Sequence, residues 1–294
     1  MIGLLVREYG VHLFHWFWQT ALVAELALAV VRLLPRSSAP FRAAVLSLAF
    51  WKFLLPPMLP LPTGLFSRLP IVGSVAGLPS RLLAAAIVAL AAVHAAGAGM
   101  QLAAILRGRR ALQRCLAQGA RRGKLRVAVV RSGLPVKAPA VFGGLRPALL
   151  LPAALRTLSS TQRRIVFAHE RCHLERGDGL MTLAEEALRV CAWIHPSFAR
   201  VISELRRIRE ELCDAAVLVR TGVSVDDYAG CLLAAAALAS GAPPCASSFA
   251  AIETVAALRR RIAALDRRAD WSKPELCAAL LLWVVLLPGI RPWA

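Results

Sequence analysis

His169-Glu170-Arg171-Cys172-His173 is an HExxH motif, and the residues around it place it on a helix. Ser159 followed by Gln162 is a capping-box start. Gly177-Asp178-Gly179 is a break, so a helix is predicted from Ser159 to about Glu175. On that helix the two histidines share a face one turn apart, and both imidazoles can reach one Zn²⁺. Glu170, beside the first histidine, can take a proton from zinc-activated water. A chain of this composition carries such a motif by chance roughly half a percent of the time. That weighs against a surface helix with incidental histidines.

Further along the chain the helical period continues. A second helix is predicted over about 180–194, interrupted at His195-Pro196. A third runs over about 197–220, an apolar one over about 226–240 and a basic one over about 252–268. Before the motif the pattern is β-like: Val127–Val130, Pro139–Phe142 and Ala148–Pro152, with Gly143-Gly144 read as a hairpin turn. Residues 108–273 thus form a mixed α+β domain long enough for its own core. Catalytic zinc usually has three protein ligands and an open position, so one ligand is still missing. The third helix offers Glu204, Glu210, Glu211 and Asp214. At about 100° per residue, Glu210 and Asp214 share a face, Glu211 points away, and Glu204 lies nearly two turns back.

The rest of the chain is apolar and basic. Of its 294 residues 58% are hydrophobic and only 18% charged, which excludes a disordered chain and argues against an ordinary soluble one. The formal net charge is +19, yet residues 26–169 contain no acid at all. Four stretches approach the roughly 20 apolar residues that cross a bilayer: about 9–31, about 43–61, Leu82–Leu106 and the shorter Leu276–Ile290. Basic residues cluster after the first, after the third and before the fourth. By the positive-inside rule both termini face out and 108–273 faces the cytoplasm. The basic run 107–126 is read as a topology determinant against anionic lipid, not as a nucleic-acid surface. The domains are therefore 1–107, a three-helix transmembrane region; 108–273, cytoplasmic; and 274–294, a fourth transmembrane helix. Glu25 and Lys52 at membrane depth are functional candidates, or else a structural pair or side chains that snorkel to the interface. The seven cysteines form no CxxC and read as reduced, packed thiols, with Cys172 beside the zinc motif a candidate redox-sensitive one.

The pairing of HExxH with Glu210-Glu211-Leu212-Cys213-Asp214, on a helix some 36 residues later, resembles the BlaR/MecR family of membrane metallopeptidases. The likeness extends to Arg146-Pro147 before Leu149-Leu150-Leu151-Pro152, to His173-x-x-Arg176-x-Asp178, to Trp193-Ile194-His195-Pro196 and to Ala215–Leu218. Three spans before the protease and one after it also fit. The resemblance implies an α-helical membrane protein with an inserted α+β gluzincin-like zinc metallopeptidase domain. It implies Zn²⁺ held by His169, His173 and Glu210, Glu170 as catalytic base, and Asp214 behind the ligands. His195 and Tyr228 are weaker candidates for steadying substrate or an oxyanion. The chain stops just after the fourth apolar stretch, so no penicillin-binding sensor is expected and β-lactam sensing is unsupported.

The expected function is a membrane-anchored zinc endopeptidase of the inner (cytoplasmic) membrane that signals by cleaving a cytoplasmic transcriptional repressor or itself. The alternatives are a membrane-protein quality-control protease and a catalytically silent membrane adaptor.

Overall fold

The computed structural model describes residues 2–54, 80–117, 120–122, 125–130, 139–142, 148–239, 255–265 and 273–286. The proline breaks after Leu55, most of the 62–81 loop, the Gly143-Gly144 turn and the end of the fourth apolar stretch lie outside these residues. In chain order the elements are α1 (Ile2–Leu33), α2 (Ala39–Leu54), α3 (Ser80–Ala117), β1 (Ala120–Arg122), β2 (Leu125–Val130), β3 (Ala140–Phe142) and β4 (Ala148–Pro152). A 3₁₀ turn (Ala153–Thr157) leads into α4 (Ser160–Arg176), α5 (Asp178–Cys191), α6 (Pro196–Thr221), α7 (Val225–Ala239), α8 (Val255–Ala264) and α9 (Lys273–Leu286). They divide into two compact units, one of residues 1–101, 188–208 and 270–294, the other of 102–187 and 209–269.

In the first unit α2 lies against both α1 and α9. Val23, Ala24 and Leu28 of α1 and Val45, Leu46 and Phe50 of α2 form its buried apolar interior. Polar contacts pin the helices: Trp16 Nε1 donates to Phe53 O (3.3 Å) and Trp283 Nε1 to Ala44 O (3.0 Å). The Glu275 carboxylate accepts from Ser38 N (2.8 Å), a negative group at the start of α2, where the helix dipole favours it. Two helices among the described residues are long and apolar enough to cross a membrane, with windows Trp16–Leu33 and Val88–Arg114. Along α3 the side chains of Val88, Leu90, Val93 and Met100 are exposed. Described α2 has 16 residues, about 24 Å of helix, and α9 carries only the shorter apolar stretch Pro274–Trp283. Glu25 does not pair with Lys52: it accepts from Ser197 Oγ (2.5 Å) and from the Arg200 guanidinium. Both partners sit in the first turns of α6.

In the second unit the strands form one sheet of order β1-β2-β4-β3. β3 and β4 are antiparallel, as a hairpin requires, but β4 also pairs in parallel with β2, Val127 opposite Leu149 and Val129 opposite Leu151. β4 is buried at every position and has no polar face to offer solvent, so it takes an interior place with a neighbour on each side. Leu149 and Leu151 pack with Ile165 and Val166 of α4, Val217 of α6, and Tyr228 and Cys231 of α7. This core holds the motif helix on the sheet and brings α6 and α7 beside it.

Candidate metal centre

α4 begins where the sequence says it should. Ser159 Oγ accepts from Gln162 N (3.1 Å) and Gln162 Oε1 from Ser159 N (3.0 Å), a closed capping box. The helix ends at Gly177, whose φ of 70° is left-handed backbone that favours glycine. α5 starts at once, at Asp178, so the break is a single residue and not three. That one-residue break places the Asp178 carboxylate against His173, Oδ2 to Nδ1 2.7 Å.

His169, His173 and Glu210 come together with their ligand atoms within 4.8 Å of one another. His169 Nε2 and His173 Nε2 are 3.1 Å apart; Glu210 Oε2 is 3.3 Å from the former and Oε1 3.4 Å from the latter. Ligands at about 2.0–2.1 Å from a tetrahedral zinc sit about 3.3 Å apart. The three donors, two imidazoles and a carboxylate, therefore fit zinc in both spacing and chemistry. The matching group His173, Asp178 and Cys213 lies on the other side of the His173 ring, with Cys213 Sγ 3.5 Å from Nδ1.

Each histidine is backed by a carboxylate. Asp214 Oδ1 lies 3.2 Å from His169 Nδ1 and Asp178 serves His173. Such a partner fixes the ring's orientation and tautomer and leaves Nε2 for a metal. Asp214, 1% exposed, is held in turn by the Tyr228 hydroxyl (2.7 Å) and by two nitrogens of Arg261 (2.6 and 2.9 Å). Arg261 Nη1 also reaches Glu210 Oε2 at 3.4 Å. Neither Arg261 nor its role was signalled by the sequence: it lies in the basic helix α8, some fifty residues from Glu210. Asp178 was visible only through the motif His173-x-x-Arg176-x-Asp178.

Charge in this cluster is strongly perturbed. Burial opposes a proton on His169, but hydrogen bonds to Asp214 and Glu210 and their charges outweigh it and raise its pKa to about 10 in the metal-free site. His173 is also raised, against its burial, chiefly by Asp178 and Glu210. Burial would raise Glu210; His169, His173 and Arg261 instead hold it well below the usual carboxylate range. Glu170 goes the other way: buried at 7% exposure, its carboxyl is pushed up by desolvation, which the two histidines only partly offset. A carboxyl group with a raised pKa exchanges a proton more readily near neutral pH than an ordinary carboxylate does.

The remaining candidates take other places. Tyr228 joins the centre from behind His169, its hydroxyl 3.2 Å from Nδ1 and given to Asp214, so it faces the supporting carboxylate and is not free for an oxyanion. His195 is not brought to this group. It packs in the other unit against Phe17 and Phe53, with Nε2 3.2 Å from Phe17 O and 3.1 Å from Thr20 Oγ1. The neighbouring Trp193 stacks on His94 and occupies the space where a Cβ on Gly97 would stand. Glu204 pairs with Arg207 (2.7 Å), and Glu211 is buried and does not belong to the His169, His173 and Glu210 group.

Residues 78–265, well over half of the chain, match the family model described as BlaR1 peptidase M56. The chain is also similar to the regulatory protein BlaR1 of Bacillus licheniformis, 32% identical over 93 residues. That match covers 32% of this chain and 15% of the relative, so only a small part of the relative's length is spanned. A match of this extent to the family model, over the segment that folds into the His–His–Glu cluster, makes the chain a member of the BlaR1 peptidase M56 family.

Proposed function

We propose that this protein is a membrane-anchored zinc endopeptidase that transmits a signal by cleaving a cytoplasmic transcriptional repressor, or its own chain. His169, His173 and Glu210 would hold the metal. Bound zinc supplies Lewis acidity, polarising a carbonyl and acidifying water. Glu170 accepts the proton of the attacking water at its carboxylate and returns it to the leaving amine. Asp214 and Asp178 keep the two imidazoles aimed, and Arg261 keeps Asp214 and Glu210 ionised. Among the described residues β3 is one of the two edge strands of the sheet, and it packs on α4. An extended substrate added to it gains main-chain hydrogen bonds next to the metal helix. The observation that carries the reading is the 3.1–3.4 Å triangle of His169, His173 and Glu210, with Glu170 buried on the same helix and its carboxyl pKa raised by desolvation. The name of the Bacillus licheniformis relative, a regulatory protein, favours signalling over quality control.

The inserted α+β gluzincin architecture is part of the same proposal, with 1–107 and 274–294 in the inner (cytoplasmic) membrane and 108–273 in the cytoplasm. Reporter fusions near residues 70 and 294 are expected to be exported and one near residue 120 retained. A retained reporter at 294 means that the fourth apolar stretch does not cross. The functional test compares cytosolic proteomes of wild type and Glu170→Gln. One processed repressor, or self-cleavage alone, supports signalling. Many processed membrane proteins support quality control, and identical proteomes support the silent adaptor.

A further inference from the structure

The turn between α5 and α6, Trp193-Ile194-His195-Pro196, belongs to the same compact unit as residues 1–101 and is held by three of its helices. Trp193 Nε1 donates to His94 O of α3 (3.2 Å), and its ring stacks on His94. His195 Nε2 lies 3.2 Å from Phe17 O and 3.1 Å from Thr20 Oγ1 of α1. Phe198 meets Phe53 of α2 edge-on, with 5.2 Å between centroids. On α1, Thr20 precedes Arg32 by twelve residues, about 18 Å of helix. On α3, His94 precedes Arg107 by thirteen residues, about 20 Å of helix. Two separate helices thus give the turn the same depth from their basic ends. The contact points fall inside the apolar windows of both, Trp16–Leu33 and Val88–Arg114.

The composition of the turn fits that depth. From Val190 to Ala199 no side chain carries a formal charge. The exposed residues of this stretch, Cys191, Ile194, Pro196 and Ala199, are all apolar. A turn facing water ordinarily carries polar residues. The backbone is satisfied within the protein: His195 N donates to Ala192 O (3.0 Å) and Phe198 N to His195 O (3.3 Å). That is the condition for irregular backbone at membrane depth. Charge returns at Arg200, which pairs with Glu25, about two turns of α1 from Arg32.

We propose that the α5–α6 turn is a re-entrant hairpin: residues 190–199 dip from the cytoplasmic domain into the bilayer, and their exposed apolar side chains meet lipid acyl chains. Trp193 seats the turn on α3, whose Val88, Leu90, Val93 and Met100 are exposed, so it adjoins a face already expected to meet lipid. The domain 108–273 is then cytoplasmic except at this turn. The same α6 that starts at membrane depth carries Glu210 and Asp214 further along, so the bilayer anchors the helix that bears the third ligand. The inference rests on the reading that α1 and α3 cross the membrane.

The test uses the full chain in phosphatidylethanolamine–phosphatidylglycerol vesicles that contain a phospholipid with a diazirine in the middle of its acyl chain. After illumination, adducts are mapped by mass spectrometry. The expected result is acyl-chain adducts both on the Val88–Met100 stretch of α3 and on residues 190–199. In the same vesicles, opened so that reagent reaches both faces, a charged maleimide reads the exposed thiol of Cys191. Maleimide needs a thiolate in water, so Cys191 should react about tenfold or more slowly than the cysteine of Val219→Cys, a position 83% exposed. Sodium dodecyl sulfate should remove the difference. Adducts on α3 but none on 190–199, or equal maleimide rates at the two cysteines, overturn the hairpin and leave the spans standing. A slow Cys191 without acyl adducts on 190–199 means that protein covers the turn, which overturns the lipid contact as well. Adducts missing from α3 too contradict the membrane-crossing reading, and the inference falls with it.

Discussion

The two histidines of the candidate metal centre are supported in contrasting ways. Asp178 reaches His173 across one glycine: five residues, one left-handed turn and a side chain 14% exposed are all the support involves. Asp214 reaches His169 at 2% side-chain exposure and depends on Tyr228 from α7 and Arg261 from α8. One support is local and half-wet, the other assembled from four helices and dry. The difference teaches where failure should spread. Disturbing the local branch misaims one ring, whereas disturbing the assembled branch also leaves a buried guanidinium without its main partner.

Asp214→Asn should therefore have the largest effect of any change outside the ligands and base. It removes the charge facing both His169 and Arg261, whose side chain is only 12% exposed. Zinc affinity should fall 10–100-fold, and the metal-free protein should lose about 3 kcal/mol, as when one partner of a buried pair is removed. Chelator competition and denaturant unfolding measure the two. A zinc loss with unchanged stability would mean that the branches differ less than their burial implies.

Asp178→Asn is the counterpart. Zinc affinity should drop toward the lower end of that range, about tenfold, with a stability loss under about 1 kcal/mol. Asp178 losing as much stability as Asp214 would erase the distinction.

The same contrast appears in the pH dependence of the metal-free protein. His169 is raised from 6.5 to about 10, so the folded state holds its proton more tightly than the unfolded chain. The resulting stability is fully present below about pH 6.5 and is lost as pH rises toward 10. Thermal unfolding of metal-free wild type should fall over that window, and Asp214→Asn should flatten the fall. Zinc displaces the same proton, so its apparent affinity should climb with pH over the same range. A flat wild-type profile would show that Asp214 and Glu210 do not hold the proton.

The same contrast explains what the sequence makes legible. The capping box of α4, the i, i+4 spacing of His169 and His173, and the shared face of Glu210 and Asp214 follow from one helix's periodicity. Ser159, Gln162 and Gly177 accordingly stand where the pattern puts them. Arg261 and the supporting role of Tyr228 depend on how α7 packs on α4 and α8 on α7, and nothing in residues 225–264 encodes that locally. The parallel pairing of β2 with β4 is likewise set by tertiary packing and not by a local signal. Gly143-Gly144 announces the β3–β4 hairpin, but only the burial of every residue in β4 calls for a second partner strand. His195, chosen for its chemistry, is instead held among Trp16, Phe17 and Phe53, a setting no local motif announces.

The most direct test is zinc stoichiometry on wild type, Glu170→Gln, Glu210→Gln and Glu211→Gln purified in parallel. The account predicts about one zinc per chain for wild type, Glu170→Gln and Glu211→Gln, and almost none for Glu210→Gln. Retention by Glu210→Gln with loss in Glu211→Gln, or loss of zinc in Glu170→Gln, would contradict it.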